Sequence, residues 1–374
     1  MKTNKIYVAL FLMSFIAWSC TTQDSLSNKS FKAALTTNVQ ELTTAMEAIS
    51  ATPGYQVLSI SNTTTASSSP SLVKSSITAF DSTYSSILLS DIAGVYEYKA
   101  NHYKRGGMSL LRFFTKTGDS SLMVVRLPEE KVKRPGNLLH FAPGDTALVN
   151  NYVVTLSDYQ YKFNHYLGWN YQMASNINIK NVNAGNLNIQ SSNSKQNGYK
   201  YASGFEFADG YKATCNYATG DTAVATYAIS NGTKTLYEEK YTAIKTAQDN
   251  RHREREYSLT IGDVQIVRTQ GHGMNSLDSA KVYVAGVLQL NAKVEIVDMT
   301  DSTSTASTED LDNCVMNHKR ELKITFDDGT SSTISQLLGT SVDTIRNLFA
   351  SLRQASFSTA IIDRIAWDIY TNKE

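Results

Sequence analysis

All five prolines of this chain lie at or before Pro143, and the remaining 231 of its 374 residues contain none. Proline lacks the N–H that a strand donates to its neighbour, so it is excluded from the middle of a sheet. A proline-free run of this length leaves the backbone free to pair without interruption. From Gly94 to about Ser335 apolar and polar residues also alternate with period two, the spacing of a strand with one face buried. Turn residues punctuate the alternation at Thr117-Gly118-Asp119, Ala184-Gly185, Asp209-Gly210, Asn231-Gly232, Gly262-Asp263, Ala285-Gly286 and Asp328-Gly329. Asn-Gly and Asp-Gly accept the positive φ of tight hairpins. The pattern predicts one long antiparallel meander.

The period changes at both ends of the chain. Phe31, Leu35, Val39, Leu42, Met46 and Ile49 recur at spacings of three and four, an apolar stripe along a helix that Pro53-Gly54 should stop. A second stripe runs through Val73, Ile77, Phe80, Tyr84 and Ile87 after the cap-like Ser69-Pro70. The Ser/Thr-rich SNTTTASSSP between the two reads as a linker. Near the C-terminus Val342, Ile345, Leu348, Phe349 and Leu352 share a face, and Ile361, Ile365 and Ile369 repeat every four residues. A wide meander must twist, curl or stack, and amphipathic helices at its ends are suited to covering one face. The expected fold is mainly β, of the α+β class: a long antiparallel meander forming a curved sheet or half-barrel, with amphipathic helices at both chain ends. Residues 31–93 form the N-terminal helical region, 94–335 the β body and 336–374 the C-terminal helices.

Residues 1–19 read as a secretory signal. Lys2 and Lys5 give a cationic start, and Ile6 to Trp18 carry no charge. That core is shorter than the roughly 20 apolar residues needed to span a bilayer. It ends at Ala17-Trp18-Ser19-Cys20. A Cys at that point after a small residue resembles the lipoprotein signals of Bacteroidota. The resemblance implies cleavage before Cys20, a diacylglycerol on its thiol, and an outer-membrane location. Residues 20–30 then serve as a polar tether, and the diacyl anchor with an N-terminal acyl chain holds the protein stably where one chain is marginal. Loss of Lys2 and Lys5 leaves 33 basic against 34 acidic residues, a balance that argues against a nucleic-acid partner.

Asp-Ser/Thr followed by Ala, Leu, Val, Ile, Met or Thr occurs seven times among 20 Asp, at Ser25, Ser82, Thr146, Thr222, Ser279, Ser302 and Thr344. Composition alone would give about two such triplets. They are similar to the O-glycosylation sites of secreted Bacteroidota proteins, which makes the first six candidate modification sites. Each is also a natural turn or helix cap, and Asp343 is expected in a helix start. After lipidation of Cys20, Cys215 and Cys314 remain; in an oxidising envelope they could pair, or both could be buried thiols.

Chemistry-bearing motifs are sparse. Six His are scattered, none at metal-ligand spacing. In Arg251-His252-Arg253-Glu254-Arg255-Glu256-Tyr257, a strand places His252, Glu254 and Glu256 on one face and the three Arg on the other. This reads as a solvated strand with cross-strand ion pairs before it reads as a metal or acid–base site. Ser71-Leu72-Val73-Lys74 and Lys116-Thr117-Gly118 have simpler readings as a helix start and a hairpin turn. No catalytic residue, metal site or cofactor is assigned. Aromatics stand out instead: 21 Tyr, with Tyr159, Tyr161 and Phe163 alternating on one strand face and Trp169 following. Exposed, such a row stacks on sugars or forms a protein contact; buried, it is sheet core. Tyr199, Tyr201, Phe205 and Phe207 show the same alternation. The expected function is a lipid-anchored envelope protein acting as a non-enzymatic binding module for a glycan or envelope protein. Its alternatives are a carrier of acyl chains, similar in outline to periplasmic lipoprotein carriers, and a hydrolase without a recognisable motif.

Overall fold

The computed structural model describes residues 30–59, 84–99, 111–129, 149–245, 252–270, 279–298, 320–326, 328–353 and 359–372. In chain order the elements are α1 (Phe31–Ala51), α2 (Pro53–Ser59), β1 (Tyr84–Leu88), α3 (Leu89–Ile92), β2 (Gly94–Tyr98), a 3₁₀ turn (Leu111–Phe113), β3 (Phe114–Gly118), β4 (Met123–Leu127), β5 (Tyr152–Asn164), β6 (Gly168–Ile179), β7 (Val182–Ser194), β8 (Gly198–Phe207), β9 (Tyr211–Ala218), β10 (Thr222–Asn231), β11 (Lys234–Lys245), β12 (His252–Ile261), β13 (Val264–Gln270), β14 (Ser279–Val284), β15 (Val287–Leu288), β16 (Lys293–Asp298), β17 (Arg320–Thr325), β18 (Ser331–Thr333), α4 (Ile334–Leu338), α5 (Ser341–Arg353) and α6 (Ala360–Thr371).

Strands β5 to β15 lie side by side in chain order, each antiparallel to the next, in a sheet that is mainly β meander and does not close. Beyond β5 the order becomes β4, β2, β3, with β1 pairing the far half of β5. Strands β16, β17 and β18 form a separate small sheet. It is tied to the start of α1 by Phe31 against Phe326, 5.4 Å between rings, and by Lys32 with Asp328 at 2.7 Å.

The α1 stripe is buried as its spacing predicts: Leu35, Leu42, Met46 and Ile49 are all at or below 1% exposure. Ser30 caps it by accepting from the Ala33 N–H at 3.2 Å. Pro53-Gly54 ends α1 but also starts α2. Thr52 is extended, its Oγ1 accepts from the Tyr55 N–H at 3.1 Å, and Pro53 takes the first helical position where its missing N–H costs nothing. Gly54 lets α2 touch the sheet, because a Cβ there would collide with the Ala184 carbonyl and the Phe205 and Phe207 rings.

Three expectations are corrected. The second helical stripe lies largely outside the described residues. Where it resumes, Tyr84–Leu88 is strand, hydrogen-bonded to Gln160–Asn164 of β5, with Ser85 and Ile87 buried at period two. The turn at Thr117–Asp119 does not join a hairpin: β2 lies between β3 and β4 and runs parallel to β4. The turn expected at Ala184-Gly185 falls at Lys180-Asn181, both at positive φ (52° and 64°), while Gly185 sits inside β7 at a register shift.

The sheet's two faces differ. On the outer face amides meet across strands: Asn176 donates to Asn186 at 2.9 Å and to Asn183 at 3.0 Å. The inner face carries the apolar residues and, among the described residues, the larger helices. At the end of the sheet defined by the β6–β7, β8–β9, β10–β11 and β12–β13 turns, α1 is held by Glu41 with Lys234 at 2.5 Å and by Asn38 with Asp263. Helix α5 crosses the middle, where Phe349 meets Tyr227 and Tyr237 at 5.3 and 6.0 Å between rings. Helix α6 packs on β1, α3 and the 3₁₀ turn, where Asp368 accepts from the Leu111 N–H at 3.1 Å. Among the described residues, the helices reach toward the opposite end, with the β5–β6, β7–β8 and β9–β10 turns, only as far as Asp363 on Tyr171 and Leu352 on Tyr201 and Ser203.

Candidate functional site

Because paired residues in a sheet point to the same side, the register fixes which side chains run across the inner face toward this end. One inner-face line reads Tyr161, Tyr171, Ser191, Tyr201, Tyr217, Ala225, Tyr241, Tyr257 and Arg268 across β5 to β13. The next line outward begins Phe163, Trp169, Asn193, Tyr199. The Trp169 ring reaches across Asn193 to Tyr199 at 6.1 Å between centroids, and Tyr199 meets Tyr217 at 6.0 Å. Three rings therefore form a continuous strip over four strands. Their planes are tilted by 57° and 51°, which makes a twisted ribbon of rings rather than a flat plate. Tyr217 is 42% exposed, and the β5–β6 turn beside Trp169 exposes Tyr166 and Leu167 to 68% and 70%. Aromatic faces flanked by hydroxyls suit a ligand with alternating C–H faces and polar edges.

Helix α5 ends at this strip. Tyr201 Oη and Ser203 Oγ donate to the Leu352 carbonyl at 3.2 and 3.3 Å, satisfying one of the carbonyls that a helix end leaves open. The Arg353 guanidinium lies 6.0 Å from the centre of the Tyr227 ring.

A second polar group sits under α6. Tyr171 Oη donates to Asp363 Oδ1 at 2.9 Å, and Thr359 Oγ1 approaches Oδ2 at 3.4 Å. Withdrawal from water pushes the Asp363 carboxyl up to about 7, against hydrogen bonds from Tyr171, Tyr159 and Thr359 that favour its charged form. Burial, then the Asp363 charge, raises the Tyr159 and Tyr171 phenols well above their ordinary range. This group locks α6 onto β5 and β6, its polar atoms engaged with one another.

The sequence-derived candidates divide. Tyr159 and Tyr161 are core, at 4% and 6% exposure. A bulge between Leu156 and Asp158 keeps Leu156 and Tyr159 on the inner face, under α6. They are withdrawn as ligand contacts. Phe163 and Trp169 are half-buried and line the strip. Phe205 and Phe207 are core, whereas Tyr199 and Tyr201 belong to the strip. Tyr217, Tyr241 and Tyr257 lie on single strands without aromatic alternation, so only the pairing register reveals them. Cys215 is buried on the inner face, opposite Ser203 and Tyr227. Thr222 is exposed at the start of β10, and Ser279 opens β14. Cys20, Cys314, Ser25, Ser82, Thr146, Ser302 and His272 lie outside the described residues. Glu254 and Glu256 are exposed on β12, and no cluster of three metal-ligating side chains occurs among the described residues. No helix among those residues is long and apolar enough to cross a membrane.

Comparison of the chain with protein-family models, with curated proteins and with solved structures finds no match.

Proposed function

We propose that this chain is a lipid-anchored protein of the cell envelope, held at the outer membrane through Cys20, that binds a glycan on the aromatic strip of its inner sheet face. The observation that carries the reading is the strip Trp169–Tyr199–Tyr217, three rings in succession beyond the described helices. The signal-like N-terminus and Cys20 support the anchor, and the Asp-Ser/Thr triplets support an envelope address. A tethered binder needs no catalytic group; it needs a stiff surface. The meander supplies one, because each strand of the strip is hydrogen-bonded on both sides.

The acyl-carrier alternative requires an apolar space between helices and sheet. The side chains on the buried faces of the helices weigh against it: Leu42 and Ile49 of α1 and Phe349 and Leu352 of α5 are at 0% exposure, and Phe349 is in ring contact with two sheet tyrosines. A panel of immobilised polysaccharides probed with the full chain in detergent tests the proposal. Retention by a subset of glycans supports it. Retention by none, with native mass spectrometry showing bound phospholipid or fatty acid, would replace it with the carrier.

A further inference from the structure

We infer that the glycan is one carried on a lipid, bound where the aromatic strip runs into the β5–β6 turn, with Tyr166 and Leu167 entering the apolar layer beneath its sugars. The inference rests on the glycan reading above and adds the chemical class of the ligand: a phosphorylated glycolipid rather than a free polysaccharide. It comes from what stands at the end of the strip. Trp169, the first ring, follows Leu167 by two residues, and Tyr166 and Leu167 are 68% and 70% exposed. A soluble glycan gains nothing from two adjacent apolar side chains held in water beside the ring it stacks on. An amphiphile gains from both, its sugars on the rings and its chains against the tip. Tyr and Trp favour such a boundary because one part of the ring system is apolar and the other can stay wet.

The tip is stiff. Asn164 Oδ1 accepts from the Tyr166 and Leu167 N–H groups at 2.9 and 3.0 Å. Gly168 has a φ of 106°, and a Cβ there would collide with the Asn193 carbonyl, so the start of β6 is seated tightly against β7. The His165 ring meets the Tyr166 ring edge-on at 5.3 Å between centroids. Little ordering is left to be done when the tip meets a ligand. The charges around it agree. Lys162 and Lys200 lie on the outer face opposite Asn170 and Ser192, each two residues from its strand end, and Lys195 sits in the β7–β8 turn. Among the described residues none of these three lysines has a carboxylate partner. Of the β5–β6, β7–β8 and β9–β10 turns only the last carries a carboxylate, Asp221, which lies 3.7 Å from Lys245. Apolar side chains at the tip with lysines a step behind match the order of a lipid surface from the inside outward: acyl chains, then anionic phosphate. Leu290, at 86% exposure, follows β15 at the far edge of the sheet and has no ring of the strip beside it; it serves as the control.

The test is calorimetric titration of the full chain in detergent with lipopolysaccharide, with the polysaccharide that mild acid releases from it, and with phosphatidylglycerol. The expected result is at least tenfold tighter binding of lipopolysaccharide than of either other probe. Tyr166→Ser/Leu167→Ser should weaken lipopolysaccharide about tenfold and leave the released polysaccharide unaffected, while Leu290→Ser should change neither. Both tip side chains are exposed, so the double variant should keep the fold, and its thermal midpoint checks this. Lys195→Gln and Lys200→Gln should each weaken lipopolysaccharide about fivefold at low salt, an effect that shrinks as salt screens it. Equal binding of the released polysaccharide, or an unaltered affinity of the double variant for lipopolysaccharide, overturns the inference and leaves the glycan reading standing. Phosphatidylglycerol binding as tight as lipopolysaccharide overturns it in favour of a bare lipid surface. Binding of none of the three overturns it, and the polysaccharide panel, which contains no lipid, then decides the glycan reading alone.

Discussion

Replacing Asp363 by Asn should flatten part of the pH dependence of stability. The carboxyl is pulled two ways. Three hydroxyls and its place in the first turn of α6 favour the charged form, while withdrawal from water favours the neutral one and prevails. Raising a carboxyl from 3.8 to about 7 corresponds to about 4 kcal/mol at 1.36 kcal/mol per pH unit. The residue as a whole is only half-buried, so water at its edge should reduce this to about 2 kcal/mol. The sign follows from linkage. Below pH 3.8 the group is neutral folded and unfolded. Between there and about pH 7 the unfolded chain has released the proton and the folded chain holds it, so stability falls as pH rises. Above pH 7 the loss is complete. Asn keeps the shape and still accepts from Tyr171, without the charge. Urea unfolding of both proteins at pH 4, 5.5 and 8 isolates this group, because all others titrate alike in the two. The stability of Asp363→Asn minus that of the wild type should rise by about 2 kcal/mol from pH 4 to pH 8. A difference that stays constant, or falls, would mean that the hydroxyls and the helix end outweigh desolvation.

Three further outcomes follow from the packing and the anchor. Gly54→Val should cost about 2–4 kcal/mol in urea unfolding, since its side chain would collide with the Ala184 carbonyl and two rings, and proteolysis should then cut α2 first. Tyr161→Ala should destabilise by about 3–5 kcal/mol as a core deletion, whereas Tyr199→Ala on the half-exposed strip should cost under about 1.5 kcal/mol; equal losses would contradict the division between core and strip. Cys20→Ser should move the protein from the membrane fraction to the soluble one on cell fractionation, and its retention with the membranes would refute the lipid anchor.

What could be read from residues alone was what local chemistry decides. Asp209-Gly210, Asn231-Gly232 and Asp328-Gly329 mark turns because few other pairs accept the backbone there, and their glycines do adopt positive φ. The α1 stripe shows itself through spacing. Lys180-Asn181 makes an equally tight turn without glycine, while the nearby Gly185, the stronger turn signal, belongs to a bulge. The insertion of β2 between β3 and β4 is a long-range pairing that no window of sequence contains. The candidate site was legible only in kind. Alternation marked Tyr159, Tyr161, Phe163 and Trp169 as an aromatic row, but which part is covered depends on α6, some 200 residues later. Tyr217, Tyr241 and Tyr257 became neighbours only through the register of β9 to β12.

The most direct test of the central claim is titration of a glycan retained by the wild type into the Trp169→Ala/Tyr217→Ala double variant. Two stacking rings at about 1 kcal/mol each predict about a thirtyfold loss of affinity, with the fold retained and the thermal midpoint lowered by no more than a few degrees, because both rings sit at the edge of the core. An affinity equal to that of the wild type would place the ligand elsewhere and contradict the assignment of this end of the sheet as the binding site.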